Sequence, residues 1–388
     1  MYVNNLKYLY VVPYPPSDIR VRSYRIMEQL INYASVDLIY IDDGSIGKVP
    51  DGVKVISVID NRSLVNRLFS MAFAFLKLKP LTYYYYYNKK LNNVLVNTDL
   101  GVYDAVIVER IPLQELDIHP KWLVFDAVDC FSGQTKVASY WSTGIKKWLY
   151  MLDSMILPKF EVLLSRKPDV ILVTSDREKK CFEEIGVTNK IETYLTPSSW
   201  AISNHIPKVT TTKPFRLSFH GKLSYIANSD AISVLNDVIA PVLDNDRYQI
   251  NVIGGVSEKI KKKNPNLNFL GFIDDLTSEL QNSQLSIFPM RMSVGISTKT
   301  LESLACGIPV IATCEVAKGL PEADGIVGKG VFVVELRDFS NKIEWFFTLS
   351  EEERIEISIN CINYIKSVCD PVKQEEKLLS LLAPEKTK

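Results

Sequence analysis

Apolar runs of strand length alternate with stretches of helical period almost from one end of the chain to the other. Short runs rich in Val, Ile and Leu between turn residues read as strands buried on both faces, and their alternation with helices predicts a parallel α/β architecture. In the first half the pattern predicts strands at Leu6–Val12, Val36–Ile41, Val53–Val58, Ala105–Glu109, Trp122–Asp126, Val170–Thr174 and Lys190–Tyr194. It restarts with Arg216–His220, Gln249–Ile253, Leu267–Leu270, Leu285–Phe288, Val310–Thr313 and Val331–Val334. Ser175 followed by Glu178 is a capping pattern, and Gly186 ends the helix predicted over Asp176–Ile185. Further helical patterns cover Asp338–Leu349 and, behind Ser350 and Glu353, Glu351–Lys366; Pro371 precedes a short terminal helix ending near Leu382.

Between the halves, Thr196 to Pro214 (TPSSWAISNHIPKVTTTKP) is rich in Pro, Ser and Thr and lacks an apolar period, which marks an interdomain linker. A chain of 388 residues suits two cores better than one. The expected division is a first domain over 1–196, a linker over 197–214 and a second domain over 215–366, with a C-terminal helix at about 367–388 returning to the first. Lys plus Arg balances Asp plus Glu at 45 each, so no global field draws nucleic acid to the surface and any phosphate recognition is local. Six cysteines without a CxxC pair speak against a zinc site and a disulfide framework, and fit a reducing cytosol. The start, MYVNNLKYLYVV, reads as a first strand and not as a signal peptide, and the lightly charged stretch Leu68–Leu76 is too short to span a bilayer.

The densest chemistry lies in Val294–Thr313, VGISTKTLESLACGIPVIAT. Gly295 permits close approach of backbone to a ligand, Ser297 or Thr298 can cap a helix, Lys299 and Glu302 fall in its first turns, and Gly307 stops it. A helix N-terminus behind a glycine loop, with a lysine beside it, suits phosphate; an ordinary α/β turn has the same outline. Open parallel sheets hold ligands at the carboxyl ends of their strands, which places the expected site in a cleft between the two domains. Four strand ends of the second half carry glycine or lysine: Gly221 and Lys222, Gly254 and Gly255, Gly271 and Phe272, and Gly295 to Lys299.

The segments FHGKLSYIANSDAI, INVIGG, NLNFLGFIDDL and FPMRMSVGISTKTLESLACGIPVIAT resemble the donor-binding half of glycosyltransferase family 4, which has the GT-B fold of two Rossmann-like doubly wound domains facing a cleft. VVPYPPSDIRVRSYRIMEQL, YDAVIVER and FDAVDCFSG are similar to the acceptor half of bacterial members that build surface polysaccharides. The resemblance implies transfer of a sugar from a nucleotide-sugar donor to a glycan or polyprenyl-linked acceptor, with retention and without a metal or other cofactor; the balanced charge separately leaves no nucleic-acid partner expected. It implies that Glu302 accepts hydrogen bonds from the donor ribose. The backbone around Gly295, Ile296, Ser297 and Thr298 would cradle the diphosphate, beside Gly221 and Gly254. Lys222, where the family has an arginine, and Lys299 would neutralise the leaving group, and Phe272 would border the base. Two positions depart from the family. Val294 stands where a first glutamate is expected, which shifts sugar recognition to backbone amides or to Arg291 and Ser293, and Asn228 stands near an expected lysine, where it would substitute as a neutral donor.

In the acceptor half, Asp126 and Asp129 lie at a strand end, where one of them is the candidate for contacting the acceptor hydroxyl or steadying positive charge; Asp129 as a helix cap is the plainer alternative. Arg20, Arg22 and Arg25 follow the first strand, where cations could meet the diphosphate of a lipid-linked acceptor, with a solvated helix face the alternative for at least one of them. His220, at the end of a buried strand, reads as structural. Arg62 to Lys90 mixes aromatics, aliphatics and cations. It reads either as a core helix followed by an aromatic packing cluster, or as a helix on a membrane surface with Tyr83–Tyr87 at the headgroups, making the protein peripheral on the inner face of the cell membrane. Competing functions are another GT-B enzyme, an inverting transferase or a sugar-nucleotide epimerase, and a nucleotide-sugar-binding protein without turnover.

Overall fold

The computed structural model describes residues 6–17, 21–85, 87–196, 213–223, 225–255, 264–293 and 295–383. Arg20, Val294, Tyr86, His205 and nearly all of the expected linker lie outside them. The chain divides into two compact units, Met1–Ser198 with Pro371–Lys388, and Ser199–Asp370.

The first unit is built on a seven-stranded sheet. Its strands are β1 (Lys7–Val12), β2 (Ser35–Asp42), β3 (Lys54–Asp60), β4 (Ala105–Glu109), β5 (Leu123–Val128), β6 (Val170–Val173) and β7 (Ile191–Thr193). All pairs are parallel, in the order β3-β2-β1-β4-β5-β6-β7. Because successive side chains leave a strand on opposite faces, Leu9 and Val11 enter one apolar core while Tyr8, Tyr10 and Val12 enter the other. The helix Pro371–Leu381 completes the second core with Leu378, Leu381 and Leu382, and the Trp122 indole donates to the Leu381 carbonyl at 2.9 Å.

The second unit has six parallel strands, β8 (Phe215–His220), β9 (Tyr248–Ile253), β10 (Leu267–Gly271), β11 (Leu285–Phe288), β12 (Val310–Ala312) and β13 (Val331–Val333). They lie in the order β10-β9-β8-β11-β12-β13. Every predicted strand overlaps an observed one, and the architecture is GT-B. In both sheets the order reverses once, between β1 and β4 and between β8 and β11, which are the crevices where such sheets take ligands.

The segment Arg62–Lys90 splits between its two readings. The helix Leu64–Leu76, capped by Ser63, buries only Ala74, so it is not a core helix. Tyr83, Tyr84 and Tyr87 are buried instead, with Tyr83 edge-on to Phe131 at 4.9 Å, and so form a packing cluster and not a headgroup belt.

Candidate functional site

At the β8/β11 reversal a cavity of about 360 Å³ opens among Gly221, Lys222, Asn228, Ser293, Ile296 to Lys299 and Glu302. The helix Thr298–Ala305 starts at its wall, with the positive end of the helix dipole on that side, while the Thr300 and Leu301 amides already donate to the Ser297 carbonyl at 3.0 Å and 3.2 Å. Thr298 is partly withdrawn, because its amide donates to the Ile296 carbonyl at 3.1 Å. Ser297 is buried, with its hydroxyl 2.8 Å from that of Thr300. Beneath the helix, Ser303 donates to Ser286 at 2.8 Å and Ser286 lies 2.8 Å from Ser218, a chain of buried hydroxyls that ties the helix to β11 and β8. Gly319 closes the loop from behind, since a Cβ there would stand 2.4 Å from the Gly295 carbonyl oxygen.

Lys299 donates to the Asn228 side-chain oxygen and lies 5.6 Å and 5.8 Å from the ring centres of Phe219 and Phe288. Burial lowers its amine to about 8, with Glu302 pulling weakly the other way. The rings and the amide oxygen therefore hold an incompletely compensated ammonium, which an incoming polyanion would complete. Glu302, one turn further, lies 2.9 Å from His220 Nε2. A carboxylate only accepts, so Nε2 carries the hydrogen and fixes one oxygen of Glu302, a residue of the cavity lining. His220 is thus a positioning residue. Lys222 is exposed on the rim, at the carboxyl end of β8.

Other expected donor residues take different places. Asn228 donates to the Lys222 carbonyl at 2.9 Å and accepts from Lys299, so it is a strut between two loops and not a replacement donor. Gly254 lies behind Gly221: with φ at +137° its missing Cβ would stand 2.0 Å from the Gly221 carbonyl oxygen, so only glycine lets the β8 and β9 loops close. Arg291 is drawn to Asp230 by a forked ion pair, while Ser293 lines the cavity. Phe272 is 80% exposed and does not line it. Val294, the departure at the sugar end, lies outside the described residues, as does Arg20.

In the first unit, the ends of β1, β4 and β5 gather a buried polar cluster at the other reversal. Asp126 is fully enclosed: Arg22 Nε donates to its two oxygens at 3.0 Å and 2.9 Å, and Tyr10 donates to one at 3.2 Å. This corrects two expectations, because an enclosed carboxylate cannot meet an acceptor hydroxyl and an arginine spent on it cannot meet an acceptor diphosphate. Arg22 also donates to the Tyr194 carbonyl at 2.8 Å, stitching the first helix to the end of β7. Asp129 keeps some exposure; Arg110 donates to it at 2.8 Å and Thr174 at 3.2 Å. It does not cap the helix Phe131–Trp141, whose first amides donate instead to Glu161, at 2.9 Å from Phe131 and 3.1 Å from Ser132.

Sequence reasoning passed over Glu109 and Tyr14. Tyr14 donates to Glu109, and burial together with the nearby Asp126 raises that carboxyl to about 7. Its signal was available, a carboxylate closing an otherwise apolar strand at the sheet reversal. Gly319 carried no signal, and the pairing of His220 with Glu302 spans 82 positions of sequence that no local pattern bridges.

Residues 214–348, which contain the whole donor-side cavity, match the family description Glycosyl transferases group 1. A search of curated proteins found no match. Among solved structures, Anabaena HepE in complex with UDP aligns with a TM-score of 0.63 at 14% identity over 97% of this chain and 99% of its own. WaaG, a glycosyltransferase of lipopolysaccharide biosynthesis, gives 0.64 at 15% identity over 97% and 99%. S. aureus TarM, in complex with UDP, fondaparinux and α-GlcNAc-glycerol, gives 0.54 at 16% identity over 72% and 56%.

Proposed function

We infer that this GT-B chain, whose second unit carries a group 1 glycosyltransferase domain, moves a sugar from a nucleoside-diphosphate sugar to a glycan or lipid-linked glycan acceptor. The observation that carries the reading is the cavity at the β8/β11 reversal, where a helix start, Lys222, the partly desolvated Lys299 and the oriented Glu302 converge. A ribose hydroxyl donating to Glu302 puts the diphosphate over the amides of Ile296 to Lys299, between the two lysines. UDP is the proposed nucleotide, supported by its presence in HepE and TarM. The proposed reaction is retaining and independent of metal and other cofactors. The acceptor oxygen bonds to the anomeric carbon on the face from which the diphosphate departs, and the leaving phosphate oxygen takes the acceptor proton. Lys222, Lys299 and the helix end stabilise the charge that develops on that oxygen. On the acceptor side Asp129, held by Arg110, is the carboxylate proposed to meet the acceptor or the positive charge on the reacting sugar.

Two exposed surfaces of the first unit support a peripheral place on the inner face of the cell membrane. The helix Leu64–Leu76 exposes Leu68, Phe69 and Phe75, and the helix Gly144–Ser165 exposes Ile145, Trp148 and Met155. No acidic residue occurs between Asp60 and Asp99 or between Asp129 and Asp153, while Arg67, Lys77, Lys89, Lys136, Lys146 and Lys147 do. Apolar anchors among cations suit an anionic bilayer, and no described helix is long and apolar enough to cross one. Phosphatidylglycerol vesicles should sediment the protein at low salt, and Phe69→Glu with Trp148→Glu should release it; indifference to such vesicles would remove the membrane from the account.

Purified protein incubated with UDP-sugars and glycan acceptors tests the activity itself. Acceptor-dependent release of UDP with a glycosylated product is the expected result; tight UDP binding without turnover on any acceptor would favour a binding protein.

A further inference from the structure

Outside both polar sites, the first unit holds a pair of thiols in contact. Cys130, which stands immediately before the helix Phe131–Trp141, has its sulfur 2.9 Å from that of Cys181, on the helix Asp176–Glu184. Both are free thiols, Cys130 buried and Cys181 partly exposed. The surroundings hold them together. Glu178, on the same helix as Cys181, accepts from the Cys130 amide at 2.6 Å, and Gly133 leaves the space that Cys181 occupies, since a Cβ there would stand 2.8 Å from its sulfur. A third group completes the cluster: Glu161 Oε2 lies 3.6 Å from the Cys130 sulfur, and the Glu161 carboxyl, raised by burial to about 7, accepts from the amides that begin the helix Phe131–Trp141.

We propose that Cys130 and Cys181 form an oxidisable dithiol, a modification site at which a peroxide converts the two thiols into a disulfide joining the Phe131–Trp141 and Asp176–Glu184 helices. Cys181, the less buried residue of the pair, attacks the peroxide oxygen; the O–O bond breaks, the first water leaves and Cys181 carries a sulfenic acid. The Cys130 sulfur then attacks the Cys181 sulfur. The S–S bond forms, the S–O bond breaks, and the hydroxide leaves as the second water. Glu161 is placed to take the Cys130 proton and to pass it to that hydroxide. Two thiols are oxidised and one peroxide is reduced. The contact with Cys181, together with burial and the Glu161 carboxylate, raises the Cys130 thiol far above its ordinary range, so Cys130 is the resolving partner and not the one that meets the oxidant. The step needs a small approach of two sulfurs that already face each other, not a rearrangement of the fold.

The test is thiol counting on the full chain. After stoichiometric hydrogen peroxide and unfolding in a maleimide, four of the six cysteines should be labelled, peptide mapping should join Cys130 to Cys181, and dithiothreitol should restore six. Cys130→Ser should halt at a Cys181 sulfenic acid that dimedone captures; Cys181→Ser should form no crosslink and stay unlabelled by dimedone at Cys130. Six labelled cysteines after peroxide, overoxidised Cys181 without a crosslink, or a bond from either cysteine to a different partner would overturn the proposal. None of these readouts depends on sugar transfer.

Discussion

Lys299 gives the most discriminating perturbation of the donor pocket, because its charge is lost within an accessible pH range. With the amine at about 8, the charged fraction falls from roughly nine-tenths at pH 7 to roughly one-tenth at pH 9. If a bound diphosphate requires the ammonium, affinity for UDP falls about tenfold over that interval, about 1.4 kcal/mol, and the complex takes up a proton at the higher pH. The ligand-free protein runs the other way. A lysine lowered by folding binds its proton more weakly than in the unfolded chain, so this group destabilises the fold below pH 8, and the penalty is relieved as pH rises from 8 toward its ordinary value. Removing one charge-assisted hydrogen bond costs about 1.5–3 kcal/mol, so Lys299→Gln should weaken UDP by roughly 10- to 100-fold at pH 7. More tellingly, it should flatten the pH dependence above pH 7. Calorimetric titration at both pH values, in buffers of different ionisation enthalpy, reads affinity and proton uptake together. Wild-type affinity that is constant from pH 7 to 9, or a variant with the same slope as wild type, would refute the reasoning.

Other substitutions probe neighbouring parts. His220→Gln, which loosens Glu302 without removing it, should raise the donor KM several-fold with a smaller change in kcat, measured by UDP release; an unchanged KM would mean that the Nε2 contact orients nothing. Gly254→Ala, which sets a Cβ against the Gly221 carbonyl at φ +137°, should cost about 3 kcal/mol and lower the midpoint by roughly 10 °C. Gly255→Ala, with open space around it, should leave that midpoint unchanged. Asp126→Ala strands a buried guanidinium and should cost about 3–5 kcal/mol. Asp129→Asn should instead lower turnover while calorimetry shows a nearly unchanged midpoint, and the reverse pattern would exchange their roles.

The strands were legible because parallel strands covered on both faces read as short apolar runs, and β1, β4 and β11 leave no doubt of period or length. The start of the Thr298–Ala305 helix was legible for a local reason too, since its glycine, lysine and glutamate lie within eight positions. What the sequence hid were partnerships. Arg22 and Asp126 each looked like site residues, yet 104 positions apart they neutralise each other in the interior. Asn228 read as a ligand donor because its spacing suited one, while its amide bridges Lys222 and Lys299. The Leu64–Leu76 helix has a composition that fits burial or a bilayer equally, and only packing shows that Ala74 alone is covered.

The claim at the centre is that the cavity at the β8/β11 reversal holds a nucleoside diphosphate. A thermal-shift screen of the full chain against UDP, GDP, ADP, CMP and dTDP tests it directly, since ligand at about 100 times Kd stabilises the native state by about 2.7 kcal/mol. UDP should raise the midpoint by several degrees, and Glu302→Ala should abolish the rise. No response to any diphosphate, or an undiminished response in Glu302→Ala, would contradict the account.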